Sequence, residues 1–110
     1  MADDTEVPEG AAVLPEIPPE LGVHPLLLAV LHTAVFLAGS DEQILNPDAG
    51  QEALEHLATN LQRLQGPDLE RVRADLATLH EHARRERWSK REALFFKSFL
   101  ADFGVTEGEA

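Results

Sequence analysis

A chain of 110 residues, 44% apolar and 26% charged, has the size and composition of one small globular domain rather than two. It contains no cysteine, which excludes disulfides, thiolate metal sites and a cysteine nucleophile. A formal charge of −11 argues against unspecific nucleic-acid binding, which needs a cationic surface.

That charge is uneven. Residues 1–22 hold six acids and no base, 105–110 add Glu107 and Glu109, and 23–104 balance twelve acids against nine bases. Met1-Ala2-Asp3-Asp4 lacks the basic and apolar start of a signal peptide, so a cytoplasmic location is expected. Seven Arg to two Lys, with abundant Ala and Leu, suggests a bacterial source with a GC-rich genome.

Residues 1–22 carry Pro8, Pro15, Pro18 and Pro19 among scattered acids, and their apolar spacing fits neither helix nor strand. The expectation is a disordered, acidic, Pro-rich arm, because such a composition buries too little to offset its ordering cost. The alternative is that Val13 to Pro19 lies as a polyproline-like strap across an apolar groove.

His24-Pro25 opens a first helix over 25–38, since proline suits the first helical position, and Gly39 is expected to cap it. Leu26, Leu27, Leu28, Val30, Leu31, Ala34, Val35, Leu37 and Ala38 cover a broad arc, and Ala29, His32, Thr33 and Phe36 fill the rest. The helix is therefore expected in the core with others laid against it, and His32 buried and hydrogen-bonded. About 14 apolar residues are too few for a membrane span, which takes about 20, so no membrane is expected.

Ser40-Asp41-Glu42-Gln43 has capping-box spacing and suggests a single turn. Asn46, Pro47 and Asp48 start a second helix over 47–65 with Leu54, Leu57, Leu61 and Leu64 at 3-4-3 spacing. Gly66-Pro67-Asp68 starts a third over 68–87 with Leu69, Val72, Leu76, Leu79 and Ala83. The short link predicts an antiparallel hairpin of these two. Ser89-x-x-Glu92 is a capping box for a fourth helix over 90–103, ending at Gly104 and holding Phe95, Phe96, Phe99 and Phe103. No alternating strand pattern occurs. The expected fold is all-α, a small four-helix bundle or orthogonal helical domain over 23–104, with the first and fourth helices forming most of the core and 105–110 a disordered tail.

Chemistry finds little purchase. His80 and His82 are two apart and diverge on a helix, and Glu52 and His56 form one i,i+4 pair where a metal needs three or four ligands. Ser40, Ser89 and Ser98 lie outside any Gly-x-Ser-x-Gly setting, and no glycine-rich phosphate loop exists. No catalytic residue, metal or cofactor is expected. The one charge concentration is Arg84, Arg85, Arg87, Lys90, Arg91 and Lys97, with Trp88 among them. Lys90 and Arg91 sit in the first turn of a helix, where the dipole opposes them, so helix-end electrostatics does not account for them. The sequence points to a non-catalytic helical protein-interaction module using Arg84, Arg85, Arg87, Trp88, Lys90 and Arg91, the alternative being nucleic-acid or other polyanion binding through 84–97. A homodimer through Phe36, Phe95 and Phe99 is a further expectation, because about 80 ordered residues make a marginal core.

Overall fold

The computed structural model describes residues 10–105, and the ends of the expected arm and tail, 1–9 and 106–110, lie outside it. Four helices follow one another: α1 (Pro25–Gly39), α2 (Pro47–Leu61), α3 (Gly66–Arg85) and α4 (Lys90–Asp102), preceded by one 3₁₀ turn at Pro19–Leu21. No strand occurs among the described residues.

The local chemistry accounts for the helix starts. Pro25, Pro47 and Pro67 stand within the first two positions of α1, α2 and α3, where the missing N–H costs nothing. His24 Nδ1 accepts from Leu26 N at 3.1 Å, and Asn46 Oδ1 accepts from Asp48 N at 2.8 Å and Ala49 N at 3.1 Å. At α4 the capping box is complete, with Glu92 N donating to Ser89 Oγ at 3.1 Å and Ser89 N donating to Glu92 Oε1 at 3.0 Å. Two expected caps act differently. Gly39 stays inside α1, and its bare Cα lets the preceding chain approach, since a Cβ there would meet Ala12 Cβ at 2.9 Å. Ser40 Oγ accepts from Ala12 N at 2.9 Å, and Asp41 takes over the turn by accepting from Gln43 N at 3.0 Å.

Helix pairing departs from expectation. α1 packs on α2 and α3 packs on α4, while the predicted hairpin of the second and third helices does not form. α2 ends at Leu61, four residues early, and Gln65 is extended at φ −160°, which redirects the chain between the helices. Gln62 Nε2 donates to the Phe103 carbonyl at 2.9 Å, fixing the link to the end of α4. In the core, Leu31, Leu79, Phe96 and Phe99 are fully buried. Each contributes about 1.5–3 kcal/mol of transfer free energy. With Leu79, α3 supplies Leu69, Leu76 and Ala83, and Leu14, Ile17, Val23 and Val105 join from outside the four helices, so the first and fourth helices give six of the fourteen buried core residues and not most of them. α2 buries only Gly50, whose Cβ would meet Leu45 Cδ2 at 3.0 Å and the Leu37 carbonyl at 3.3 Å.

A strap takes the place a further helix would occupy. Over 10–22 the expectation of a solvated arm is corrected: Leu14 and Ile17 are buried, as is Val23 just beyond, and Asp41 N donates to the Gly10 carbonyl at 2.9 Å. Prolines that already restrict the unfolded backbone lower the entropy lost on docking, and three aliphatic anchors supply the burial. The far end is clamped by α3. Asp75, 7% exposed, accepts from His24 N at 3.0 Å and from Arg71 Nε at 2.9 and 3.1 Å, and Arg71 donates from its guanidinium to the Gly22 carbonyl at 3.0 Å. Val105, assigned from sequence to the tail, is also buried and donates to the Leu100 carbonyl at 2.9 Å. The packed unit therefore runs from 10 to 105 rather than from 23 to 104.

Candidate functional site

The basic cluster forms the corner between α3 and α4. α3 ends when Trp88 N reaches back to the Ala83 carbonyl at 2.9 Å and Arg87 N to the Arg84 carbonyl at 3.2 Å, which puts Arg87 at φ +61°. That left-handed position is where glycine is usual, and a side chain there costs about 1–2 kcal/mol. Arg84, Arg85, Arg87, Lys90 and Arg91 are exposed. Arg85 pairs with Glu81 at 3.5 Å, whereas Arg84, Arg87, Lys90 and Arg91 make no ion pair among the described residues. Trp88 is half-buried, its ring edge-on to His82 at 5.5 Å and tilted against Phe96 at 6.0 Å. The indole is thus part of the core margin as well as of the corner.

Lys97 stands away from the corner, beside a groove of about 310 Å³ between α3 and α4 that Arg73, Ala77, His80 and Ala101 also line. Arg73 pairs with Glu70 at 2.8 Å.

The self-association candidates separate. Phe99 is 0% exposed and offers no surface to a second copy. Phe95 is half-buried, with Phe96 and Phe99 each at 5.5 Å, and it borders a cavity of about 740 Å³ between the strap, the end of α1 and the start of α4. Phe36 is half-buried.

The sequence reading missed the outer face of α1. Only Leu27, Leu31 and Ala34 are buried in that helix, whose main helical neighbour is α2. Leu26 is 72% exposed, Ala29 and Thr33 are exposed, and His32, expected in the core, is exposed with them. Leu26 borders a groove of about 240 Å³ with Leu27, Val30, Leu61, Leu64 and Val72. The missing signal is tertiary: a helix apolar all round reads as fully enclosed until its neighbours are placed.

The polar candidates are mostly engaged. Ser98 Oγ donates to the Leu94 carbonyl at 3.0 Å and lies 2.8 Å from Asp102 Oδ2. Glu52 Oε2 and His56 Nε2 lie 4.0 Å apart, each about three-quarters exposed. Among the described residues no three His, Asp or Glu are grouped to hold a metal, and no helix is long and apolar enough to cross a membrane. Comparison with protein-family models, with curated proteins and with solved structures finds no match, so the functional reading rests on this geometry.

Proposed function

We propose that this chain is a non-catalytic helical protein-interaction module. The observation that carries the reading is the exposed side of α1, a helix without a single Asp, Glu, Lys or Arg, where Leu26 is 72% exposed beside a largely apolar groove that Asp68, Arg71 and Asp75 of α3 also border. Exposed apolar surface of this kind gains about 25 cal/mol for each Å² a partner covers. Ser40 and Ser89 are committed to structural hydrogen bonds, which supports the non-catalytic half of the reading. A bacterial cytoplasm is the setting proposed, supported by the cysteine-free, Arg-rich composition. The test is affinity purification from the source cell with the native chain and with Leu26→Glu, a substitution at an exposed position. A partner held by the native chain and lost from Leu26→Glu supports the module. Recovery of no protein, or of the same proteins with both baits, counts against it.

Polyanion binding is the second reading, favoured by four exposed cations without ion pairs at the α3–α4 corner. Duplex DNA would then bind with a log–log salt slope near −0.9 for each phosphate contacted. Absence of binding at low salt removes it.

A further inference from the structure

The strap passes the end of α1 without closing on α4. Gly39 lets Ala12 approach α1, and Ser40 Oγ accepts from Ala12 N at 2.9 Å, so the strap is held to the α1 side. The cavity of about 740 Å³ lies between it and the start of α4, three times the groove of about 240 Å³ beside Leu26 and of a size that takes a small molecule. Its walls are apolar surface that folding leaves open. Val13 is 52% exposed, Ala38 and Gly39 are exposed, and Val35 and Phe95 are half-buried.

Polar groups gather at one end, where α4 begins. Arg91 borders the cavity, is exposed, and makes no ion pair among the described residues. Ser89 Oγ accepts from Glu92 N at 3.1 Å, and its O–H, with no acceptor among the described residues, remains a donor for an incoming group. Glu92, the one acid on the wall, is held by Ser89 N at 3.0 Å. Arg91 stands in the first turn of α4, where the dipole opposes a cation, and an anion received there accounts for a placement that the helix does not.

Charge sets the direction. Residues 84–91 hold five bases and one acid, a cationic end on an otherwise acidic chain. Away from it, Ala38 and Phe95 also border a hollow of about 360 Å³ toward α2, rimmed by Glu55 and Asp102, whose carboxylates repel an anion. A ligand with one negative group therefore puts that group at Arg91 and its apolar part along Val13 and Phe95.

We propose that this cavity binds a small amphipathic anion, a carboxylate with an aliphatic tail, its head received by Arg91 and Ser89 and its tail lying between Val13 of the strap and the Phe95 ring. The site is separate from the exposed side of α1 and goes beyond the interaction-module reading. One wall is strap and the other is helix, so the ligand ties them together and stabilises the fold on binding.

The experiment titrates the isotope-labelled full chain with decanoate below its micelle concentration. Decylammonium, with the opposite head, and acetate, without the tail, are the controls. The expected result is saturable amide shifts concentrated in 11–14, 35–39 and 89–95, a higher melting temperature, no saturable response to acetate, and decylammonium at least about tenfold weaker. Arg91→Glu is expected to weaken decanoate at least about tenfold and Val13→Gln several-fold, whereas Arg84→Glu, outside the cavity, has the smaller effect of the two charge reversals. All three positions are exposed, and melts without ligand confirm that each variant folds. The proposal is overturned by absence of saturable shifts, by equal binding of decanoate and decylammonium, or by equal losses from Arg84→Glu and Arg91→Glu. Shifts that map to Leu26 and Val30 overturn it too, because the tail would then only wet the exposed side of α1. If the chain sediments with anionic phospholipid vesicles and gives no shifts with decanoate, a lipid surface replaces the small molecule and the site is overturned.

Discussion

The two helix pairs carry similar leucine periodicities and end in different physical states. α3 and α4 meet along their length and bury Leu76, Leu79, Phe96, Phe99 and Leu100. α2 brings Leu54, Leu57 and Leu61 to α1 at the same spacing, yet all three stay half-exposed and only Gly50 is buried. Periodicity states which face of a helix is apolar. How deep that face goes depends on how many neighbours cover it, and on the α1 side one neighbour is a strap rather than a helix.

The sharpest way to break the comparison is to truncate one residue in each pair. Phe99→Ala is expected to cost about 3–5 kcal/mol, while Leu57→Ala in α2 costs under about 2. Urea melts of the two variants measure the difference, and equal losses would show that α2 is as integral as α4. Hydrogen exchange should agree, with α2 amides exchanging before those of α3 and α4.

The strap comes next in size. Leu14→Ala and Ile17→Ala are each expected to cost about 2–4 kcal/mol in thermal melts. A solvated arm would show no change. Removing residues 1–22 is expected to lower the melting temperature sharply.

The clamp is smaller. Asp75→Ala removes a charged acceptor from His24 N and Arg71 and is expected to cost about 2 kcal/mol, the half-exposed Arg71 being partly rescued by water. Thermal melts of Asp75→Ala and Arg71→Ala, with the double variant, measure the coupling. Smallest is Arg87→Gly, expected to stabilise the chain by about 1 kcal/mol by relieving the left-handed backbone at φ +61°. If instead the variant is less stable, Arg87 makes contacts that outweigh its strain.

Much of the fold was legible because local chemistry decides it. Ser89 with Glu92, Asn46 with Pro47, and the absence of any alternating segment are short-range signals, and helices started where those residues stand. The strap was legible only as an alternative, because Leu14 and Ile17 are anchors whose seats are made by residues distant in sequence. Gly39 and Ser40 looked like helix-end chemistry and turned out to receive Ala12, which local spacing cannot foresee. Asp75 was the overlooked clue. It lies among Val72, Leu76 and Leu79 on the core side of α3, and an acid in such a place needs partners, here Arg71 one turn before it and a backbone N–H from the strap. The basic corner was found from composition alone, whereas the cavity that Arg91 borders required knowing where the strap lies.

The clamp also fixes an order of events during synthesis. Its hydrogen bond joins residues 51 apart, and the bond at Ser40 joins residues 28 apart. At about 5–20 residues per second, a ribosome exposes Leu14 and Ile17 for several seconds before α3 is available to receive them. The α3–α4 hairpin, built from neighbours in the chain, has no such wait. The strap is thus the first part of the packed unit to be made and is expected to be among the last to settle, which makes its two aliphatic anchors the natural contact for a chaperone acting on the nascent chain.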